Sequence, residues 1–325
     1  MATAQPCSLR IGTRGSPLAL VQTRAVLAAL RRLAPGQDCA AHIITTTGDT
    51  VQHRRLAGIG GKGLFAKELH EALADRRIDA AVHSLKDLET TLPPGIVLAA
   101  TLAREDARDA LILGPHTAAA DPADPFAALA PGAVVGTSSL RRQAQLLHAR
   151  PDLRVVLLRG NVQTRLARLR AGDMAATVLA LAGLRRLGLT EAASVVLEPH
   201  TMLPAACQGI VGITARADDA PLLASLAALS DPAAALAATA ERALLGALDG
   251  SCHTPIGALA ERLEDGRLHL TGLVARPDGT FLLRRALTGA ADAAAALGAA
   301  ALGAALGASL RADSPHDLFA DPQFA

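Results

Sequence analysis

The chain has 325 residues, of which 50% are apolar, and its formal net charge at pH 7 is +2. This composition excludes a largely disordered protein and leaves room for two or three domains, each with its own core. The near-neutral charge, with no Trp, no Tyr and only 5 Phe, argues against a nucleic-acid-binding protein. No apolar run is long enough to cross a membrane and the first residues lack an export signal, so we expect a cytoplasmic protein.

In chain order, the first unit alternates strands and helices. The segment "SLRIGT" predicts a strand, and "RGSPLALVQTRAVLAALRRL" predicts a helix that Ser16 caps and Pro17 begins. A second strand is expected in "CAAHIITTTGD". The segment "LFAKELHEALADRR" predicts an amphipathic helix, because Phe65, Leu69 and Leu73 recur every four residues. The segment "IDAAVHSLKDL" then predicts a strand that ends in polar residues.

The glycine-rich stretch "GIGGKG" precedes the second of these helices. It departs from a nucleotide-binding P-loop, because Gly63 stands where that loop needs Ser or Thr. A nucleotide-dependent enzyme is therefore a poor interpretation. We expect a glycine-hinged flap over a cleft instead.

The second unit repeats the same order from about residue 133. Its segments are "AVVGTSSLRRQAQLLHAR", "LRVVLLRGNVQTRLARLRAGD" and "MAATVLALAGLRRLGL". Strands that alternate with helices predict parallel or mixed sheets, and the repetition predicts two similar lobes. The predicted fold is therefore α/β, with two lobes of periplasmic-binding-protein type facing a cleft, followed by a small α+β domain.

The two units differ in their third strand. The first unit has His83, Ser84, Lys86 and Asp87 where the second has Leu179, Ala180, Ala182 and Gly183. A core strand needs none of these polar groups, so they indicate a site on the first lobe. Asp87 is expected either to stabilise a cation and bind ligand N–H groups or to form a salt bridge. His83 has apolar neighbours and is expected to be structural.

From about Asp231 the pattern changes. A helix is followed by three short strands, with turns at Asp265-Gly266 and Pro277-Asp278-Gly279, and then by an Ala-rich stretch that predicts a helix over 289–312. The last dozen residues look like a solvated tail. We expect a first lobe of residues 1–105 with 208–228, a second lobe of 106–203, and a small domain of 232–325.

Cys252 lies beside His253 in the loop "LDGSCHTPIG". The other cysteines, Cys7, Cys39 and Cys207, are far away in sequence and form no C-x-x-C pair. Neither a zinc site nor a disulfide framework is therefore expected. The residues alone leave four roles open for Cys252, namely nucleophile, metal ligand, attachment point or ordinary small residue.

Arginine and hydroxyl side chains concentrate where strands end and helices begin. They are Arg14, Ser16, Thr137, Ser138, Ser139, Arg141, Arg142, Arg159, Asn161, Arg165 and Arg186. Guanidinium groups bind carboxylates through paired hydrogen bonds, and helix N-termini favour anions. This pattern predicts a cleft for a ligand with several carboxylates or phosphates, with ordinary surface ion pairs as the alternative. The chain has only three lysines, Lys62, Lys67 and Lys86, which suggests that each marks a place where an ammonium is required.

These segments resemble one family, porphobilinogen deaminase. The matching stretches are "RIGTRGSPLAL", "GGKGLFAKEL", "DAAVHSLKDL", "REDARDAL", "VVGTSSLRRQ", "LRGNVQTRL", "LAGLRRLGL", "LPAACQGIVGI", "AERALL" and "GSCHTPIG". They follow the family order across nearly the whole chain. The resemblance implies a dipyrromethane cofactor that is joined to Cys252 by a thioether. It also implies an enzyme that adds four porphobilinogen units to this primer, each with loss of ammonia, and releases hydroxymethylbilane.

The resemblance also implies roles for individual residues. Asp87 would be catalytic and would stabilise the azafulvene cation that forms as ammonia leaves. The residues implied to bind the cofactor are Cys252, Ser16, Ser84, Lys86, Thr137, Ser138, Ser139, Arg141, Arg142 and Gly160. Those implied to bind substrate or the growing chain are Arg14, Lys62, Phe65, Arg159, Arg165 and Arg186. No metal is implied, and the family suggests a monomer.

Two segments depart from the family pattern. Gly58 stands where family members often have lysine, and the residues before Cys252 read Leu248-Asp249-Gly250-Ser251 where L-E-G-G is usual. Neither change removes a group that the chemistry requires. The main competing interpretation is a solute-binding receptor, which would need neither Cys252 nor Asp87.

Overall fold

A computed structural model describes residues 8–50, 63–248, 255–290 and 295–319. The first lobe begins with an alternation of strands and helices. Its elements are β1 (Leu9–Thr13), α1 (Pro17–Leu33), β2 (Cys39–Ile43), α2 (Thr47–Thr50), α3 (Lys67–Ala74), β3 (Ala80–Ser84) and β4 (Ile96–Thr101). Ser16 caps α1 as expected, because its hydroxyl accepts a hydrogen bond from the N–H of Ala19.

The chain then crosses into the second lobe. Its elements are β5 (Asp109–Leu113), β6 (Val134–Gly136), α4 (Leu140–Ala149), β7 (Arg154–Val156), α5 (Val162–Arg170), β8 (Ala176–Ala180), α6 (Leu181–Arg186) and β9 (Val195–Leu197). The chain returns to the first lobe through β10 (Val211–Arg216) and α7 (Ala220–Ala227).

The two lobes are built on five-stranded sheets of the same topology. The strand orders are β2-β1-β3-β10-β4 and β7-β6-β8-β5-β9. In each sheet the first three strands are parallel, and the fourth is antiparallel to both of its neighbours. This equivalence confirms the prediction of two similar α/β lobes.

The third unit has the predicted α+β composition. It consists of α8 (Pro232–Ala247), an antiparallel sheet of β11 (Ile256–Arg262), β12 (Leu268–Ala275) and β13 (Leu282–Gly289), and α9 (Ala295–Ala312). The helices α8 and α9 approach so closely that a Cβ at Gly303 would lie 2.1 Å from the carbonyl oxygen of Ala240. Glycine is therefore required there by the packing of the two helices.

Several predicted boundaries are wrong. The helix predicted from Leu64 begins at Lys67, because the chain is still in a turn around Gly63, whose φ is +85°. The helix predicted over 289–312 begins at Ala295, since β13 runs to Gly289. The predicted solvated tail is also wrong where the structure describes it, because Leu318 is buried in the core of the third unit.

Membrane-spanning potential is low in the described helices. None of them is by itself both long and apolar enough to cross a bilayer, and only α7 and α8 taken together, across a 110° bend, meet the length and composition required.

Candidate functional site

A cavity of about 650 Å³ lies between the two lobes. Its wall includes most of the predicted site residues that the structure describes. These are Arg14, Ser16, Phe65, Ser84, Lys86, Asp87, Ser138, Ser139, Arg141, Arg142, Arg159, Gly160 and Arg165. The third unit contributes Leu245 and Ile256, so all three units meet at this cavity.

Asp87 reaches the cavity because the chain turns directly after β3. It does not lie on the strand as predicted, since Leu85–Asp87 form a short 3-10 turn. Leu85 is buried, and its N–H donates a hydrogen bond to the carbonyl oxygen of Ile210. With Leu85 held in the interior, Lys86 and Asp87 lie at the cavity wall.

Lys86 is linked to the second lobe through an amide. Its Nζ donates to Oε1 of Gln208 at 3.2 Å, and Nε2 of Gln208 donates to Oδ1 of Asp109 at 2.7 Å. Burial lowers the pKa of Lys86 to about 8, although the neighbouring Asp87 carboxylate opposes this shift. The amide is fully buried, so its oxygen and nitrogen have fixed orientations toward the ammonium and the carboxylate.

Two of the predicted arginines are held by a buried carboxylate. Nη2 of Arg141 lies 2.7 Å from Oδ2 of Asp109, and Nη2 of Arg142 lies 2.8 Å from Oδ1. Arg142 also donates to the carbonyl oxygen of Val178, and Arg141 to that of Leu203. Burial raises the pKa of Asp109, but the two guanidinium groups outweigh burial and leave it well below its usual range. Both arginines therefore give the cavity wall positive charge while much of their hydrogen bonding is directed inward.

A second group of arginines surrounds the N-terminus of α5. Asn161 caps this helix, and Gly160 before it has a φ of +113°. Nε of Arg165 donates to the carbonyl oxygen of Gly160 at 2.8 Å. Burial lowers the pKa of Arg165 to about 10 and also lowers that of Arg159. The charge of Arg165 is thus costly to keep unless an anion lies near it.

Arg14 and Phe65 lie together on the first-lobe wall. The guanidinium carbon of Arg14 is 4.1 Å from the centre of the Phe65 ring, which is a cation–π contact. Nearby, Nε2 of Gln22 donates to the hydroxyl of Ser84 at 2.9 Å. The side chains on this wall are therefore fixed by one another.

Two predicted site residues do not line the cavity. Thr137 is buried, and its hydroxyl accepts a hydrogen bond from the N–H of Ser139, which in turn caps α4. Nη2 of Arg186 donates to the carbonyl oxygen of Gly209, where the chain returns to the first lobe. Cys252 and Lys62 lie outside the described residues.

The family models and the curated relatives agree on one family. A model of the dipyrromethane cofactor-binding domain of porphobilinogen deaminase matches residues 9–224, and a model of its C-terminal domain matches residues 235–310. The porphobilinogen deaminase of Paracoccus denitrificans is 49% identical over 314 residues, which cover 96% of each chain. The chloroplastic enzyme of Oryza sativa is 48% identical over 295 residues, which cover 90% of this chain and 80% of that one.

The chain belongs to the porphobilinogen deaminase family. Members polymerise porphobilinogen, with loss of ammonia, on a dipyrromethane primer and form hydroxymethylbilane, and this chain is such a transferase of tetrapyrrole biosynthesis. The residues present fit a dipyrromethane, because its acetate and propionate groups match the guanidinium groups of the wall. The cavity volume also lies in the range of ordinary small-molecule sites.

The solved structures that match this chain have low similarity to it in both sequence and structure. A periplasmic VFT2 domain of BvgS from Bordetella pertussis has 15% identity and a TM-score of 0.41, over 69% of this chain and 86% of that chain. A putative periplasmic sulfonate-binding protein from Methylobacillus flagellatus has 14% identity and a TM-score of 0.39, over 74% of this chain and 68% of that chain.

The sequence analysis missed two buried residues that organise the site. Gln208 and Asp109 lie within the matching stretches "LPAACQGIVGI" and "REDARDAL", but nothing in their local sequence shows that they meet. The signal that was available is chemical. An Asp at the start of an apolar strand and a Gln between small residues are both expected to need buried partners.

Proposed function

We propose that Asp87 is the catalytic residue of this porphobilinogen-polymerising enzyme. The observation that supports this is the position of its carboxylate in the first lobe, on the same cavity as the guanidinium groups of the second. When ammonia leaves porphobilinogen, positive charge develops on the pyrrole and its N–H becomes a better donor. A carboxylate fixed beside that ring stabilises the positive charge and accepts a hydrogen bond from the pyrrole N–H.

We propose that the cationic side chains of the wall bind the carboxylates of substrate and chain. Among the described lining residues, six are cationic and two are acidic, which leaves an excess of positive charge. Porphobilinogen brings one acetate and one propionate per unit, so each added ring carries negative charge into this field. Within this set, Arg141 and Arg142 donate to Asp109, and the other three arginines are Arg14, Arg159 and Arg165.

We propose that Cys252 anchors the dipyrromethane through a thioether. When bound, this group supplies the primer to which the first substrate unit is joined. The described residues on either side of the cysteine support the proposal, because Leu245 and Ile256 both lie on the cavity wall. A thiolate in a loop with a neighbouring histidine is also suited to forming such a bond.

The anchor is tested by the intact mass of the purified protein. We expect a mass higher than that of the sequence by two pyrrole units, and we expect Cys252→Ser to lack the excess. Cys39→Ser is the matched control, because Cys39 is a free, buried cysteine away from the cavity and should keep the added mass. An active protein whose mass equals that of its sequence would exclude the anchor.

The role of Asp87 is tested by substitution. Asp87→Ala removes the carboxylate that stabilises the cation formed as ammonia leaves. We therefore expect kcat to fall by about a hundredfold or more while the protein stays folded. Asp218→Ala is the control, since Asp218 lies at the surface beside Arg76. The measurement is ammonia release per enzyme at saturating porphobilinogen. Turnover within about threefold of the unmodified enzyme would refute the assignment.

We also propose that the protein acts as a cytoplasmic monomer without nucleic-acid or membrane partners, and that the domain bounds given by the sequence hold. The scattered positions of its exposed large apolar residues support a monomer, and the free cysteines Cys39 and Cys207 suit a reducing compartment. Light scattering of the purified protein tests the monomer directly.

A further inference from the structure

A buried histidine and a largely buried glutamate meet at the wall of the proposed site. His70 lies on α3, and its side chain is 4% exposed. Glu89 follows the 3-10 turn of Asp87 by two residues, and its side chain is 11% exposed. Nδ1 of His70 lies 3.0 Å from Oε1 of Glu89. This contact joins the helix α3 to the segment that follows Asp87.

The surroundings give these two side chains few alternative partners. Oε2 of Glu89 and both ring nitrogens of His70 are buried without a partner at hydrogen-bond geometry, so the approach of Nδ1 to Oε1 is a close contact and not a hydrogen bond. His83 on β3 is the other imidazole nearby, with 5.7 Å between the ring centres. His83 is hydrogen-bonded to Thr214, and burial lowers its pKa to about 3, so it stays neutral. The charge that faces Glu89 from α8 is the guanidinium of Arg242.

Glu89 is ionised in this environment. Burial raises the pKa of its carboxyl, but the contact with His70 and the nearby charge of Arg242 outweigh burial and leave it below its usual range. An ionised buried carboxylate without a partner would be strongly unfavourable. The contact with His70 is therefore needed to keep Glu89 inside.

The backbone of the same segment is held from the opposite side. Nη2 of Arg242 donates to the carbonyl oxygens of Glu89 and Thr90, at 2.8 and 2.7 Å. Gly63 packs against the carboxylate, since a Cβ there would lie 3.0 Å from Oε1 of Glu89. The residues that follow Asp87 are thus clamped between α3 of the first lobe and α8 of the third unit.

We propose that His70 and Glu89 are positioning residues that hold the turn carrying Lys86 and Asp87 at the cavity wall. Neither side chain needs to touch substrate for this. Their contact sets where the chain goes after the turn, and this fixes the direction of the Asp87 carboxylate. The proposal rests on the catalytic role proposed for Asp87.

A double-mutant cycle on kcat tests the proposal. Glu89→Gln keeps the shape of the side chain and removes its charge, so it should leave the protein folded. His70→Gln and the double variant complete the cycle. We expect each single variant to lower kcat by about threefold to tenfold with KM little changed, because a misplaced carboxylate loses transition-state stabilisation. The double variant should be no slower than the worse single variant, since both changes break the same contact.

The separate effects on kcat and KM distinguish positioning from simple stability. We expect all three variants to lower kcat per folded enzyme with KM little changed, whereas a merely destabilised variant keeps the kcat of its folded fraction. The exposed pair Lys67 and Glu71, 3.9 Å apart on the same helix, supplies the control. Lys67→Gln and Glu71→Gln should leave both kcat and KM unchanged.

Two outcomes would overturn the inference. One is a set of variants with altered unfolding midpoints but unchanged kcat. The other is a double variant whose loss in kcat is the product of the two single losses. Either result, obtained while Asp87→Ala remains inactive, removes the positioning role alone. An active Asp87→Ala would instead remove the catalytic assignment on which the proposal rests.

Discussion

Lys86 is a partly buried ammonium on the cavity wall, and its charge depends on pH close to neutrality. Burial lowers its pKa to about 8, so the side chain is charged below that pH and becomes neutral as the pH rises through it. Desolvation acts against the ammonium and not against the neutral amine, which explains the direction of the shift. The attraction that we propose between Lys86 and the ligand carboxylates should therefore be present at neutral pH and be lost in mildly alkaline solution.

We predict that Lys86→Arg removes an alkaline rise in KM. In the unmodified enzyme, KM for porphobilinogen should increase as the pH passes from about 7 to about 9, because Lys86 loses its proton in this range. A guanidinium stays charged across this pH range. The KM of the variant should therefore not rise between about pH 7 and 9, even if its KM at neutral pH is higher than that of the unmodified enzyme. Steady-state kinetics at several pH values provide the measurement.

Lys67→Arg is the matched control for this prediction. Lys67 is 71% exposed on the outer face of α3, so its replacement should leave the profile unchanged. An equal alkaline rise in Lys86→Arg would exclude Lys86 as its source.

At the scale of elements, α8 joins the third unit to the lobes through one carboxylate. Glu241 on α8 is fully buried. Its oxygens accept hydrogen bonds from Nη1 of Arg104 at 2.6 Å and from the N–H of Ala260 at 2.7 Å, and also from the N–H of Cys207. Burial lowers the pKa of Arg104, but Glu241 outweighs burial and leaves it above its usual value. One side chain therefore ties α8, β11 and both connections between the lobes.

We predict that Glu241→Gln destabilises the whole protein. The change removes the negative charge opposite a buried guanidinium and turns an amide N–H₂ toward donors, so the free energy of unfolding should fall by about 3–5 kcal/mol. Urea unfolding followed by circular dichroism gives the measurement. The control is Glu261→Gln, at an exposed position on β11, which should change the free energy of unfolding by less than about 0.5 kcal/mol. A loss below about 1 kcal/mol in Glu241→Gln would contradict this account.

The equivalent elements of the two lobes explain why the site is asymmetric. After β3 the chain forms a single 3-10 turn with Lys86 and Asp87, whereas after β8 it continues directly into α6. Ala182 and Gly183 occupy the corresponding positions, and both are buried. The sequence correctly indicated that only the first copy has polar residues here. It did not show that the copies differ in backbone as well, because a three-residue turn has no periodicity to detect.

At the scale of the whole molecule, the two lobes and the third unit enclose one positively charged cavity. The crossing segments between the lobes are tied by side chains that donate to backbone oxygens, as Arg104 does to Gln208 and Arg186 does to Gly209. These contacts hold the first-lobe and second-lobe walls opposite each other. The excess of cationic groups on the walls then acts on any anionic ligand that enters.

We predict that KM for porphobilinogen rises with ionic strength. Salt screens the attraction between the cavity and the substrate carboxylates, with a screening length of about 10 Å at 0.1 M. KM should increase several-fold between about 0.05 and 0.5 M sodium chloride, and Arg159→Gln should show a weaker dependence. Arg24→Gln, at an exposed position on α1, should behave like the unmodified enzyme. A KM independent of salt would argue against electrostatic binding of the carboxylates.

The sequence by itself determined the order of elements, the two-lobed plan with a third α+β unit, and the family. Local spacing of apolar residues and capping signals carry this information, and the ordered motifs are long enough to be specific. Only the tertiary structure decided that Asp109 holds Arg141 and Arg142, that Gln208 separates Lys86 from Asp109, and that His70 meets Glu89. These pairs join residues far apart in the chain or on opposite sides of a turn. Which buried charge finds which partner depends on how whole elements pack, and no local pattern encodes it.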